Sequence, residues 1–139
     1  MPPATLTPVI DTPLPLRPSR WQAWEGPWLL AVAAVHTLFG LLVFAPVLRA
    51  MLAQGWIDTV GTDPLRGAVS WFLLFGLPLA LLALCIRPLR QAGQARRLRL
   101  LGWGLLGLCA AGASLMPASG FWLVLPPALS LLWPRRPGR

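Results

Sequence analysis

The sequence has no lysine, no asparagine and no tyrosine, a single histidine, two cysteines and only four acidic residues among 139. Charged residues make up 12% of the chain, about half the share of an ordinary soluble domain. Each shortage removes a class of function. With so few carboxylates there is no acid pair inside an apolar segment for general acid–base work. One histidine rules out a bis-histidine haem within a single chain. Cys85 and Cys109 lie in apolar runs without metal-type spacing. No Gly-rich phosphate loop appears, and no nucleophile has an evident base, so the residues read as those of a non-enzyme without a cofactor. The first residues lack the early positive charge, apolar stretch and small-residue cleavage site of a secretory signal.

What is abundant is apolar. Hydrophobic residues reach 56% and mean hydropathy is +0.65. Positive charge is carried by arginine alone, with much Ala, Gly, Leu and Pro, a bias that fits a GC-rich bacterial genome. The net charge of +8 invites a nucleic-acid reading. The pattern argues against it, because the arginines sit between long apolar runs rather than on a soluble face. In that position they set orientation in a bilayer.

The expected fold class is all-α, an integral membrane four-helix bundle behind an N-terminal tail. Residues 1–19 contain six prolines and are expected to be a disordered cytoplasmic tail, with Ser19 and Gln22 resembling a helix-capping box. Spans are expected at about 28–48, 68–86, 98–117 and 121–133, so that residues 20–134 form the transmembrane domain and 135–139 a basic tail. The first, WLLAVAAVHTLFGLLVFAPVL, would reach roughly 31 Å at 1.5 Å per residue, matching a hydrocarbon core of about 30 Å. Residues 49–63 read as a helix extension and an external interfacial loop. Asp63-Pro64 has the N-cap and first-turn chemistry of a helix start, and Pro78 interrupts the second span. The fourth run is short, roughly 20 Å of helix, and contains Pro126-Pro127, which leaves a re-entrant hairpin open.

Counting arginines orients the bundle. The N-terminal tail holds two, residues 87–99 five and the C-terminus three, so four spans place ten on one side against Arg49 and Arg66 on the other. Three spans would split them seven against five. Cytoplasmic loops carry the excess, so both termini are expected in the cytoplasm. The eight tryptophans, Trp21, Trp24, Trp28, Trp56, Trp71, Trp103, Trp122 and Trp133, fall near the expected interfaces, as an aromatic belt requires. The Arg-rich segments are expected to touch anionic lipid headgroups.

His36 is the candidate functional residue, since an ionisable group inside a span is functional by default. By depth it shares a layer with Pro78, Gly107 and Pro126, where each proline frees the carbonyl of Leu74 or Trp122. Two readings stay open. His36 satisfies a carbonyl or hydroxyl, or the layer encloses a cavity for a small apolar ligand such as a quinone, lipid or haem. Gly104, Gly107, Ala111 and Ser114 on one helix, and Ala33, His36 and Gly40 on another, form small-residue seams suited to close helix packing, within the bundle or in a homo-oligomer. Cys85 and Cys109 differ in depth by roughly 14 Å, too far for a disulfide, and read as apolar fillers. Asp63 is a cap, and Asp58 has no assigned role.

His36 in the first span, LLVFAPVL at its end, VGTDPLRGAVSWFLLFG leading into the second and MPASGFWLVLPPAL in the last hairpin resemble a family of small bacterial membrane proteins, a domain of unknown function with four predicted spans. The resemblance covers about residues 28–133. It implies topology and bacterial origin, and no activity. The functional expectation is an accessory or structural membrane component that contacts lipids and other membrane proteins.

Overall fold

The computed structural model describes residues 24–55 and 57–133, and these are all-helical. The Pro-rich tail, the Ser19–Gln22 pair, Trp21, Trp56 and the basic C-terminal tail lie outside the described residues. Five α-helices follow one another: α1 (Glu25–Val43), α2 (Ala45–Ala53), α3 (Pro64–Gln91), α4 (Ala95–Leu115) and α5 (Leu125–Leu132), the last entered through a 3-10 segment, Gly120–Val124.

The first apolar run, expected as one rod over 28–48, is two helices. Pro46 has no N–H to offer the carbonyl of Leu42, and the break falls at Phe44 (φ −97°, ψ 15°). The interruption is one residue wide, because Phe44 N still donates to Gly40 O and Leu48 N to Phe44 O, both at 3.0 Å. After α2, the loop to α3 turns through left-handed backbone at Gly55, Asp58 and Gly61.

α3 begins where Asp63-Pro64 predicts. The Asp63 carboxylate accepts from Leu65 N at 2.9 Å and Arg66 N at 3.3 Å, and Pro64 occupies the first turn. Replacing Asp63 with alanine is expected to cost about 1 kcal/mol in thermal or denaturant unfolding, the usual worth of such a cap. The other end differs from expectation. The helix does not stop at Ile86 but runs through Pro88 to Gln91, so its 28 residues reach about 42 Å. Pro88 lies close enough to the C-terminus that little helix remains to be broken beyond it. Arg87 and Arg90 are therefore helical residues, and only a tight turn through Gly93 (φ +66°) separates α3 from α4.

Two antiparallel pairs make the bundle, and glycines set their spacing. In α1/α3 a Cβ on Gly26 would stand 3.0 Å from the Ala83 carbonyl, Gly76 abuts Thr37, and Gly40 faces Phe72 and Leu73. In the second pair a Cβ on Gly102 would stand 3.0 Å from the Ala128 carbonyl, and Gly112 abuts the Phe121 ring. The shared core joins Leu29 and Ala33 to Leu79, Ala83 and Ile86, and to Leu98, Leu105, Val124, Ala128 and Leu131. All four helices thus meet at the end where α1 begins and α3 ends, next to the α3–α4 turn and the arginines that flank it.

α1, α3 and α4 are long and apolar enough to cross a membrane, while the apolar segment Gly120–Leu132 is shorter. Only 22–28% of the most apolar stretch of each long helix is buried. Leu38, Leu42, Trp71, Leu77, Leu84, Leu100 and Trp103 all point outward.

Candidate functional site

Glu25 is the charged residue that the fold buries most completely, at 2% exposure. It stands in the first turn of α1, where a negative charge also complements the helix dipole. Arg90, near the end of α3, donates from Nη2 to Glu25 Oε1 at 2.7 Å. Ser130 on α5 donates from Oγ to the same oxygen, also at 2.7 Å. One carboxylate oxygen therefore ties three helices together at the end where the core is densest. The second oxygen, Oε2, and Arg90 Nε are buried without a partner among the described residues.

His36 sits deeper along α1, half-buried against α3. Its ring stacks on Phe72 at 4.1 Å between centroids and 23° between planes, and meets Phe75 edge-on at 5.8 Å. Nε2 lies 2.8 Å from the Phe72 carbonyl oxygen. A carbonyl only accepts, so Nε2 carries a hydrogen and donates. A His36→Phe variant keeps the stack and loses this bond. It is expected to lower stability by about 1 kcal/mol, read as a shift in the unfolding midpoint.

Stacking and hydrogen bonding at the His36 ring come from Phe72 and Phe75 rather than from Pro78, Gly107 or Pro126 of the expected layer. Pro78 and Pro126 are exposed, and a Cβ on Gly107 would meet nothing within 4 Å. The α1/α3 register explains part of this, since Gly76 rather than Pro78 stands opposite Thr37. The carbonyl that His36 uses is that of Phe72 and not the proline-freed one of Leu74. Pro126 and Pro127 open α5 at the junction with the 3-10 segment, where a missing N–H matters least.

Of the small-residue seams, Ala33 and Gly40 are buried. On α4 the packed face is Leu98, Gly102, Leu105, Cys109 and Gly112, while Gly104, Gly107, Ala111 and Ser114 look outward. Both cysteines are free thiols. Cys109 is buried and donates to Phe121 O at 3.2 Å, whereas Cys85 is exposed.

A third polar region lies at the opposite end from Glu25. Arg66 donates from Nη1 to Gln54 Oε1 (2.7 Å) and to Thr59 O (2.9 Å), and its Nε lies 3.3 Å from Asp63 Oδ2. Thr59 Oγ1 reaches back to Met51 O at 3.3 Å. The brace holds residues 57–63 against α2 and α3 and leaves a pocket of about 300 Å³ between them.

Sequence reasoning passed over Glu25, Arg90 and Ser130. The available signal was an acid at the threshold of an apolar run. Its partners lie 65 and 105 positions away, which no local pattern connects. Among the described residues no group of three His, Cys, Asp or Glu could hold a metal ion.

Fold and site together define a small all-helical bundle with an apolar exterior, in which Glu25, Arg90, Ser130 and His36 bond to the protein itself. The chain belongs to the DUF6463 family, a family of unknown function whose model matches residues 20–138. No curated protein and no solved structure matches it.

Proposed function

We propose that this protein is an integral component of a bacterial cytoplasmic membrane, spanning it four times with both termini inside, and that it works as an accessory or structural subunit through contacts with neighbouring membrane proteins and lipids. The observation that carries this reading is the division of its side chains. Large apolar groups face outward on every long helix, while Glu25, Arg90, Ser130 and His36 bond inward, from helix to helix. A water-soluble monomer rarely exposes apolar patches beyond a few hundred Å². In lipid the same surface is the expected one, and inward-facing, paired polar groups are the rule.

The fourth span is the 3-10 segment with α5. It follows α4 from the level of Gly112 to that of Gly102 and would reach roughly 20 Å, so local thinning of the bilayer completes the crossing. The arginines on the helix ends flanking the α3–α4 turn then meet anionic headgroups. On the lipid-facing side of α4, Gly104, Gly107, Ala111 and Ser114 offer a strip with little side-chain bulk, where a neighbouring helix can approach closely.

The test is cross-linking in native membranes followed by extraction in mild detergent. The proposal expects a companion protein at fixed stoichiometry. A chain that stays monomeric and uncross-linked in its own membrane overturns the accessory role.

A further inference from the structure

We infer that the pocket between α2, residues 58–60 and the first turns of α3 is a binding site for a glycerophospholipid with a primary-amine headgroup. The acyl chain would enter the pocket and the ammonium would meet Asp58. The inference rests on the membrane reading above and adds a ligand to it.

Three observations point this way. The pocket's volume of about 300 Å³ is at the lower end of small-molecule sites, and its walls are mainly Leu48, Met51, Val60, Leu73 and Leu74. Such walls suit a hydrocarbon chain. The exposed Asp58 and the half-buried Ser70 also line it, and neither side chain is hydrogen-bonded to another of the described residues. The pocket lies at the end of the bundle away from the α3–α4 turn, where the topology places the outer headgroup layer. A carboxylate with no partner among the described residues, beside an apolar slot at that level, is complementary to a cation carried on a lipid.

Asp58 itself adds a constraint. Its φ of +56° is a left-handed backbone that few residues other than glycine, asparagine and aspartate adopt readily. The loop holds the carboxylate at the rim by a backbone turn, and Arg66 braces that turn through the Thr59 carbonyl. Arg66 Nη2 has no partner among the described residues and is the nearby cation for the lipid phosphate. A phosphoethanolamine head presents both charges, and its ammonium has N–H donors. A choline head has the charge without the donors, and a glycerol head lacks the cation.

The full-length protein, in mixed nanodiscs of dioleoyl phosphatidylethanolamine, phosphatidylcholine and phosphatidylglycerol, is ejected into the gas phase and its retained lipids are identified. The expected result is one lipid held in preference to the others, the ethanolamine species, about tenfold over choline, the size of one charge-assisted hydrogen bond. Asp58→Asn, which suits the same backbone, should abolish the preference while leaving the fold unchanged. Ser70→Leu, which adds apolar bulk to the pocket, should reduce retention of all three. Equal retention of the three lipids by the unaltered protein, or an ethanolamine preference that survives Asp58→Asn, overturns the assignment. Failure to enter nanodiscs at all would instead sink the membrane reading, so the two failures are distinct.

Discussion

Replacing Arg90 with alanine is expected to cost roughly 3–5 kcal/mol of stability, the largest effect of any single side-chain truncation in this protein. The reason is what it leaves behind. Glu25 is 2% exposed, and Arg90 is the cation beside it. Without the guanidinium, a carboxylate remains in an apolar contact zone with only the Ser130 hydroxyl for company. The reverse change is milder. Glu25→Ala strands an arginine whose side chain is 23% exposed and can turn outward, so a loss of about 1–3 kcal/mol is expected. Ser130→Ala should cost least, about 0.6 kcal/mol, in line with hydrogen bonds between membrane helices. A double replacement, Glu25→Leu with Arg90→Met, removes both charges and should recover most of the Arg90→Ala loss. Unfolding in mixed micelles, read by tryptophan fluorescence, measures all four. Equal losses for Glu25→Ala and Arg90→Ala, with no recovery in the double variant, would show that the pair is not a buried one.

Gly102→Leu is the second large effect, and its meaning comes from a partner substitution two residues away. A side chain at Gly102 meets the Ala128 carbonyl at 3.0 Å and Leu131 Cβ at 3.1 Å. The carbonyl is backbone and cannot rotate aside, so α5 must move away from α4. Overpacking of this kind costs about 1–3 kcal/mol, and here it acts on the shortest helix of the bundle. Gly104→Leu enters open space and should change monomer stability by no more than about 0.5 kcal/mol. In native membranes the order can differ. If the outward strip of α4 receives a neighbouring helix, Gly107→Leu should weaken cross-linking to the companion protein while leaving the isolated bundle unaffected. Thermal unfolding in detergent separates the two sites, and the same substitutions in membranes report on the companion.

The long helices were legible because an apolar run of about twenty residues has few alternatives, and Asp63-Pro64 marked a start that the structure uses. The ends were less legible. Pro46 and Pro88 look alike in sequence, yet one divides a helix and the other lies inside one. The difference is that α3 has packing at Ala83, Ile86 and Arg90 to carry it past the proline, whereas in α2 only Met51 is buried. The facing of α4 was also hidden. Gly102, Leu105, Cys109 and Gly112 are offset by about two positions from Gly104, Gly107, Ala111 and Ser114, which is close to half a turn. In a helix apolar on all sides, composition does not say which strip is covered. Phe121 and Ala128 decide it, and their approach is a tertiary fact. The same holds for Glu25, whose pairing depends on α3 continuing past Ile86, so a misplaced helix end concealed the principal polar cluster. His36 was identified, but its surroundings were not, because the α1/α3 register sets Phe72 and Gly76 against it in place of Pro78.

The central claim is that four segments cross a membrane with the arginine-rich side in the cytoplasm. Single reporter fusions, alkaline phosphatase in one series and green fluorescent protein in the other, placed at residues 1, 61, 93 and 139 and expressed in bacteria, test it most directly. The account predicts fluorescence without phosphatase activity at residues 1, 93 and 139, and phosphatase activity without fluorescence at 61. Opposite reports from the two termini, or a fluorescent fusion at 61, would contradict it.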